Sequence, residues 1–143
     1  MLKLLENTIE STRRSLGVIG YEPRNGSIVK TISDVALSFK ETHPELELSL
    51  DLPSIPELGF DRYLLEQALT NLLSNAIKYS EGKPQVEIAA KAEPSHVEIL
   101  VRDHGIGIPE QDRGTIFDDY ARAGNVGERP GTGLGLSIVR QIA

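Results

Sequence analysis

Two asparagines and a lysine follow one another at helical spacing near the middle of the sequence. Asn71, Asn75 and Lys78 are four and three residues apart, with Gln67 one turn earlier, so a helix places them along one line. Asparagine is a poor mid-helix residue, which argues for a task beyond solubility. Amide oxygens are hard, neutral ligands for Mg²⁺, and an ammonium can meet phosphate as a point charge. The line predicts a site for a magnesium-bound polyphosphate; the alternative is polar residues bordering a core beside a solvated lysine.

These polar residues lie within one long predicted helix, from Asp61 to Ser80. At about 100° per residue, its apolar side chains cluster into a broad stripe beside the polar line. The stripe comprises Leu65, Ala68, Leu69, Leu72, Leu73 and Ala76. A stripe of this width needs a sheet to cover it, so strands are expected elsewhere in the chain.

Alternating apolar residues predict those strands. The pattern indicates strands over 45–52, 86–90 and 97–101, with residues 93–95 as a hairpin connection. Helical spacing predicts further helices over 29–39, ending at His43 before Pro44, and over 134–142. We therefore expect an α+β fold, a two-layer sandwich in which helices back a mixed, mostly antiparallel sheet.

The remaining segments are typical of connections. Residues 1–20 carry apolar residues at an imperfect helical spacing, which predicts a helix fragment. The glycines and the proline of 17–26 indicate a linker or hinge. Residues 53–59 are expected to form a turn into the central helix. Pro109, followed by two acidic residues, predicts a helix start. The glycine-rich stretch 121–132 is expected to be a mobile loop.

The overall composition excludes several classes of protein. A chain of 143 residues with 39% hydrophobic content suits one main domain. Its formal charge of -6 argues against a nucleic-acid or anionic-membrane partner. The absence of cysteine excludes disulfides and thiolate metal sites. No run approaches a membrane span and the N-terminus lacks a signal-peptide pattern, so we expect a cytoplasmic segment.

Three glycine-bearing turns lie downstream of the central helix, at 105–107, 124–127 and 131–135. Glycine lets backbone amides approach a ligand closely, and a helix N-terminus attracts phosphate. The GTGLG at 131–135 opens a predicted helix and is a candidate phosphate cradle, although such turns are more often simply turns. It is not a P-loop, because the Gly-Lys-Ser or Gly-Lys-Thr sequence that ends a P-loop motif does not follow.

Two charged residues lie close to these turns. Asp103 ends a predicted strand, and its carboxylate would accept a hydrogen bond from an adenine amine or would close an Asx turn. Arg122 lies at the beginning of the predicted loop and would reach a terminal phosphate or remain solvated. Phe117 and Tyr120, three residues apart, are interpreted from spacing alone as core contacts.

Four stretches together resemble the motifs of sensor histidine kinases. Residues 71–80, NLLSNAIKYS, are similar to the N box of that family, and 103–109, DHGIGIP, to its G1 box. Residues 116–122, IFDDYAR, resemble the F box, and 131–139, GTGLGLSIV, the G2 box. The motifs stand in the family order across about residues 22–143. The resemblance implies the Bergerat-type ATP-binding fold shared with gyrase, heat-shock chaperones and mismatch-repair ATPases.

The same resemblance implies a role for each matching residue. Asn75 becomes the Mg²⁺ ligand, Asn71 a second polar contact near the phosphates, and Lys78 and Arg122 phosphate partners, so that Asn71, Lys78 and Arg122 form the catalytic group. Asp103 becomes the adenine reader. The remaining nucleotide-binding positions implied by the motifs are Tyr79, Gly105, Gly107, Ile108, Tyr120, Gly131, Thr132, Gly133, Leu134, Gly135 and Leu136.

Position 71 bears on the type of reaction. Hydrolysing relatives have a glutamate one turn before the metal-binding asparagine, whereas this chain has Asn71, which is no general base at neutral pH. The resemblance therefore favours transfer of the γ-phosphoryl group of Mg·ATP to a protein histidine. The alternatives are a nucleotide-binding interaction module without catalysis and a gyrase-like ATP hydrolase.

The chain departs from the family pattern at both ends. Its three histidines, His43, His96 and His104, do not fit the acceptor position, so we expect the acceptor on a separate dimerisation domain and a response regulator as the further partner. Residues 1–20 are interpreted as a remnant of a dimerisation helix and 21–143 as the catalytic domain. We expect this segment to be cytoplasmic even where the full-length kinase is anchored in a membrane.

The family usually continues into a closing pair of strands, whereas this chain stops at Ala143. We expect an exposed sheet edge, with reduced stability or a homodimer through that edge or through residues 1–20.

Overall fold

A computed structural model describes residues 21–143 of the chain, and the helix fragment predicted over residues 1–20 lies outside them. The described part contains three α-helices, five β-strands and a short 3₁₀ turn. The helices are α1 Ile28–Thr42, α2 Arg62–Lys78 and α3 Gly135–Ile142, and the strands are β1 Arg24–Gly26, β2 Glu47–Asp51, β3 Leu58–Phe60, β4 Gln85–Ala92 and β5 Val97–Asp103. Helices α1 and α2 cover one face of a mixed sheet, which is the α+β sandwich predicted.

The main sheet has the order β2-β4-β5. Strand β2 runs parallel to β4, whereas β4 and β5 form the predicted antiparallel hairpin. Val86, Ile88 and Ala90 are buried on β4, and the alternate residues point away from the helices. Side chains of β4 therefore form the floor of the core, because strand residues alternate between two faces.

Strands β1 and β3 pair with each other in a separate antiparallel ribbon. The prediction of a linker over 17–26 is therefore wrong for residues 24–26, and the predicted turn over 53–59 is wrong from Leu58 onward. Gly26 lies against the ring of Phe60. Pairing between segments this far apart, each only three residues long, leaves no periodic pattern in the local sequence.

Helix α2 begins after Asp61, whose carboxylate accepts a hydrogen bond from the backbone N–H of Leu64 at 3.1 Å. An acceptor at this position satisfies one of the free N–H groups of the first turn. The core-facing residues are those of the predicted stripe, with Ala68, Leu69, Leu73 and Ala76 buried. Leu65 and Leu72 are half-buried and border a cleft of about 750 Å³ between α2, β5 and α3.

Helix α1 follows the predicted pattern and packs against α2. Ser27 caps it by accepting a hydrogen bond from the N–H of Lys30, and Ile32 and Ala36 are completely buried. The helix ends at Thr42, because Pro44 disfavours helical geometry at the preceding His43.

The chain between β5 and α3 has little regular structure. The helix start predicted at Pro109 is a single 3₁₀ turn, Glu110–Asp112, followed by further turns as far as residue 120. Residues 121–132 form a loop, as expected, yet Ala123 and Val126 are buried and pack with Ile116 in a second hydrophobic cluster.

The prediction that Phe117 and Tyr120 are core contacts is wrong. Phe117 is 40% exposed and Tyr120 is 70% exposed. A spacing of three residues places side chains on one face only in a helix, and residues 113–120 form successive turns instead. Tyr120 also has a positive φ of 63°, which is uncommon for a residue other than glycine.

None of the helices among residues 21–143 combines the length and the apolar character needed to cross a membrane.

Candidate functional site

The polar line of α2 faces the N-terminus of α3. A methyl group placed on Gly135 would lie 3.7 Å from the Asn75 side-chain nitrogen and 3.8 Å from the Asn71 side-chain oxygen. The two carboxamides are therefore neighbours beneath the glycine that opens α3. Within the described part of the chain, Asn71 Nδ2 is buried and has no hydrogen-bond partner. A buried donor of this kind is costly unless a ligand or water supplies the acceptor.

Lys78 lies at the end of the same line and meets a second glycine of the GTGLG segment. Its ammonium lies over the ring of Tyr79, 4.5 Å from the ring centroid. A methyl group on Gly131 would overlap the Lys78 ammonium and would lie 3.5 Å from the Tyr79 hydroxyl. Among residues 21–143, no carboxylate forms an ion pair with Lys78. The positive charge therefore remains available to an anion.

Asp103 ends β5 and forms the Asx turn that was one interpretation of the sequence. Its Oδ1 accepts a hydrogen bond from the N–H of Gly105 at 2.9 Å. A carboxylate has two oxygens and about four lone-pair positions, so this bond leaves acceptor capacity for a ligand amine. The turn and the adenine interpretation are therefore compatible.

The turn after β5 is joined directly to the end of α2. The N–H of Ile106 donates to the carbonyl oxygen of Tyr79 at 3.0 Å. A methyl group on Gly105 would lie 2.5 Å from that same oxygen. Only glycine permits so close an approach. The turn that Asp103 opens therefore contacts Tyr79, the residue that follows Lys78 at the C-terminal end of the polar line.

Arg122 is exposed, and its guanidinium is held by backbone groups of the same loop. Its guanidinium donates to the carbonyl oxygens of Gly127, at 3.4 Å, and Arg129. The guanidinium therefore connects Arg122 to the middle of the segment 123–134, which we call the lid.

The far end of the lid returns against its near end. Gly133 has a φ of 73°, and a methyl group on it would lie 2.6 Å from the Tyr120 carbonyl carbon. Thr132 Oγ1 accepts from the N–H of Leu134 at 3.3 Å, and Leu134 itself is buried. Leu136 packs on the second cluster. Leu134 and Leu136 anchor this end of the lid, whereas Gly131 and Thr132 are exposed.

Sequence patterns did not reveal two residues of this region. Asp112 accepts a hydrogen bond from the N–H of Gly124, and Asn125 donates to two carbonyl groups of the turn after β5. Neither residue belongs to a periodic apolar pattern. The sequence signal for Asn125 is limited to its position directly after Gly124 in a glycine-rich stretch.

A further polar contact lies on the outer face of the sheet beside Asp103. His104 Nε2 is 2.9 Å from Glu87 Oε1, and Arg102 is 3.9 Å from the other oxygen. The hydrogen bond from His104, followed by the charge of Arg102, lowers the pKa of Glu87. His43, in turn, stacks on Phe39 at the end of α1.

The polar residues of the site fit a magnesium ion that is coordinated partly by the protein and partly by a bound polyphosphate. Residues 21–143 contain no group of three or more histidine or acidic side chains that could hold a metal by themselves. Asn75 offers one neutral oxygen, and Mg²⁺ usually takes one or two protein ligands together with phosphate oxygens and water. An ion here would therefore depend on a bound anion.

An α/β sandwich with an asparagine-bearing helix, an aspartate-ended strand and a glycine-rich lid defines a class of nucleotide-binding ATPases. The chain belongs to the family described as histidine kinase-, DNA gyrase B- and HSP90-like ATPases, whose family model matches residues 60–143. This finding confirms the family resemblance that the four motifs indicated and the fold expected from it.

Comparison with individual relatives shows which members of this ATPase family the chain resembles. The chain is 32% identical over 143 residues to the signal transduction histidine-protein kinase ArlS of Staphylococcus haemolyticus strain JCSC1435, covering 98% of this chain and 32% of ArlS. It therefore spans about a third of the length of this relative. Within its family, the chain is a histidine-kinase ATPase domain of two-component systems.

Solved structures show the same fold. Full-length ShkA in complex with AMPPNP matches with a TM-score of 0.82 and 27% identity, covering 99% of this chain and 30% of ShkA. A nucleotide-free catalytic domain of the histidine kinase ThkA matches with a TM-score of 0.73 and 27% identity, covering 85% of this chain and 80% of that domain.

Proposed function

We propose that this domain binds Mg·ATP and donates the γ-phosphoryl group to a histidine on a dimerisation domain. The observation that carries the proposal is the convergence of Asn71, Asn75 and Lys78 on the glycines that begin and end the GTGLG segment. This arrangement offers neutral oxygens, an unpaired ammonium and an open backbone on one surface. Phosphoryl transfer requires mainly positioning and neutralisation of charge, which these groups supply.

Each polar residue then has a distinct task toward the phosphates. Asn75 supplies an oxygen to Mg²⁺, and the buried N–H of Asn71 that lacks a partner donates to a phosphate oxygen or to water bound there. Lys78 meets the phosphates as a point charge, and Arg122 reaches the terminal phosphate after leaving the lid carbonyls. A bound magnesium ion would neutralise charge that develops on the phosphate oxygens.

The base would lie against the turn after β5. Asp103 accepts a hydrogen bond from the adenine amine, and Gly105 and Gly107 leave room for the ring. Ile108 and Tyr120, both exposed here, supply apolar surface, and Tyr79 connects the base side with Lys78. A carbonyl oxygen at the amine position, as in guanine, would face the carboxylate without a proton between them, so selection of ATP over GTP is expected.

The residues at and near position 71 favour transfer of the γ-phosphoryl group over hydrolysis of ATP. Asn71 cannot accept a proton from water at neutral pH. The nearest acid one turn earlier is Glu66, and its carboxylate accepts from Arg62 Nε at 2.7 Å on another side of α2. Among the described residues, the carboxylate closest to Asn71 in sequence is therefore bound to Arg62 and does not lie beside the polar line to activate a water.

The phosphoryl acceptor and the next partner lie outside this domain. His43 stacks on Phe39 and His104 bonds to Glu87, so neither is placed as an acceptor. We propose a histidine on a dimerisation domain as acceptor, followed by a response regulator, with the whole kinase acting at the cytoplasmic side of a membrane or within the cytoplasm.

Nucleotide titration tests the proposal directly. ATP, ADP and GTP are titrated with and without Mg²⁺, followed by transfer from γ-labelled ATP to a supplied dimerisation domain. We expect magnesium-dependent ATP binding, weak GTP binding and label on histidine with little free phosphate. Equal affinity for ATP and GTP would overturn the role of Asp103, and rapid phosphate release without transfer would indicate a hydrolase.

Asn75→Ala isolates the metal ligand. The substitution removes the neutral oxygen offered to Mg²⁺, so the magnesium-dependent gain in ATP affinity should fall by at least about tenfold. Ser74→Ala, on an exposed neighbouring position of the same helix, serves as control and should keep that gain. The assignment fails if Asn75→Ala binds Mg·ATP as the unmutated protein does.

A further inference from the structure

The near half of the lid is attached to the turn that follows β5. Ala123 and Val126 are buried and pack with Ile116, and Ile106 of the turn packs against the same cluster. Residues 123–126 connect Arg122 with the rest of the lid. Their apolar side chains therefore hold the segment that carries this cation against the base side of the site.

Polar contacts fix the same segment in register. Asn125 Nδ2 donates to the carbonyl oxygen of Gly107 at 3.1 Å and to that of Ile106 at 3.4 Å. The N–H of Gly124 donates to the Asp112 carboxylate at 2.8 Å. Both acceptors of Asn125 are backbone carbonyls, so only a side chain with two N–H donors serves both.

The two carbonyls belong to the turn that begins at Asp103 and ends at Pro109. Asp103 opens this turn with its Asx hydrogen bond, and Gly107 lies within it with a φ of 71°. Asn125 thus bridges the turn proposed to read the base and the segment that carries the proposed phosphate partner. It is three residues from Arg122, so its hydrogen bonds set the distance between the two functions.

We infer that Asn125 is a positioning residue, which fixes Arg122 relative to the base-reading turn so that a seated adenine places the γ-phosphate within reach of Arg122. The inference rests on the proposed function. The side chain of Asn125 donates its hydrogen bonds to backbone carbonyls, and we give it no part in the chemistry. Its loss should therefore weaken the contact with the terminal phosphate and leave recognition of the base intact.

Asn125→Asp tests this role with almost no change in shape. The carboxylate has no N–H and faces two carbonyl oxygens, so the bridge opens. The measured quantity is the preference for Mg·ATP over Mg·ADP, because ADP lacks the γ-phosphate. We expect the preference to fall about five- to tenfold, the size expected for one lost hydrogen bond, while ADP affinity changes less than about twofold.

Two further variants distinguish the loss of the Asn125 hydrogen bonds from the added negative charge. Gln111→Glu makes the same amide-to-carboxylate change on an exposed neighbouring residue and should keep the preference. Asn125→Gln retains the two donors and should recover part of it. Thermal melting of all variants checks that they fold.

A double-substitution cycle distinguishes positioning from general destabilisation. In an Arg122→Ala background, Asn125→Asp should cause no further loss of preference, because the cation that it positions is absent. Additive effects, equal losses of ATP and ADP affinity, or an unchanged preference in Asn125→Asp would each overturn the inference. If the unmutated protein binds no ATP, the proposed function itself fails; if Arg122→Ala abolishes the preference and Asn125→Asp does not, the inference alone fails.

Discussion

Asn71, Asn75 and Gly135 illustrate what single residues contribute to the site. The two asparagines lie on one line of α2 because their spacing equals about one helical turn. Gly135 leaves the space above them open, since any side chain there would contact both amides. The buried nitrogen of Asn71 that lacks a partner is the polar atom most in need of a ligand in this part of the molecule.

Gly105→Ala tests the close contact between the base-side turn and α2. The added methyl group would lie 2.5 Å from the Tyr79 carbonyl oxygen and 2.9 Å from Asp103 Oδ1, so backbone must move. We expect the free energy of unfolding to fall by about 1–3 kcal/mol, as for other overpacked sites. Chemical denaturation measures the change.

Gly114→Ala is the matched control, because a methyl group on Gly114 meets no atom within 4 Å. Its effect should stay within about 0.5 kcal/mol. Equal stability of the two variants would contradict the steric role given to Gly105.

Some residue properties followed from the sequence and others did not. The line of Asn71, Asn75 and Lys78 was predictable, because a helix fixes the relative directions of its side chains. The partners of Arg122 were not, because they are backbone carbonyls of a segment without periodicity. Tyr120 was misplaced for a related reason, since turn conformations leave no repeating pattern to count.

At the scale of elements, the strands and helices that build the core were the predictable part. Strands β4 and β5 carry apolar residues at every second position and α2 carries a continuous stripe, and each has a covered face in the structure. The ribbon of β1 and β3 could not be predicted, because it is held by backbone pairing between two short segments distant in sequence. The lid was recognised as a loop, but its anchoring at Ala123 and Val126 depends on tertiary contacts.

Glu47 joins the two parallel strands through its side chain. Its carboxylate accepts from Lys83 Nζ at 2.6 Å and from Gln85 Nε2 at 2.7 Å. These hydrogen bonds, that of Lys83 first, lower the pKa of Glu47. Because the folded pKa lies below the ordinary value, the contribution to stability is present above that ordinary value and is lost as pH falls through the folded pKa.

Glu47→Gln should therefore lower the melting temperature at pH 7 slightly, by a few degrees or less for an exposed pair, and the gap should close under acid conditions. Melting curves across pH 3–7 measure it. The exposed Glu45→Gln, with the same change of charge, should show no such gap. A gap for Glu47→Gln that is constant at all pH values would exclude the linkage.

In the described part of the molecule, an apolar cleft and the edge strand β5 are surfaces that another chain could contact. The cleft is lined by Leu65, Leu72, Val97, Ile99, Val139 and Ile142. Within residues 21–143, β5 has a strand partner on one side only. An open edge beside apolar surface favours pairing with a second copy, because unpaired backbone groups template another strand.

Leu100→Lys tests this expectation. Leu100 is 51% exposed on β5, and a lysine on an edge strand opposes edge-to-edge pairing. Light scattering at increasing concentration should show association of the unmutated chain and a shift toward monomer in the variant. Leu37→Lys makes the same change on the 54% exposed Leu37 of α1 and should leave association unchanged. A monomeric unmutated chain with an ordinary cooperative melt would refute the expectation.

Asp61 connects the beginning of the described chain with the helix that carries the polar line. Its carboxylate accepts from the N–H of Glu22 at 2.9 Å as well as from the first turn of α2. A pull or rotation applied to the polypeptide before Glu22 would thus arrive at the origin of this helix through this carboxylate, as well as through the ribbon of β1 and β3. Such a linkage gives a displacement of that segment a short route to Asn71 and Asn75.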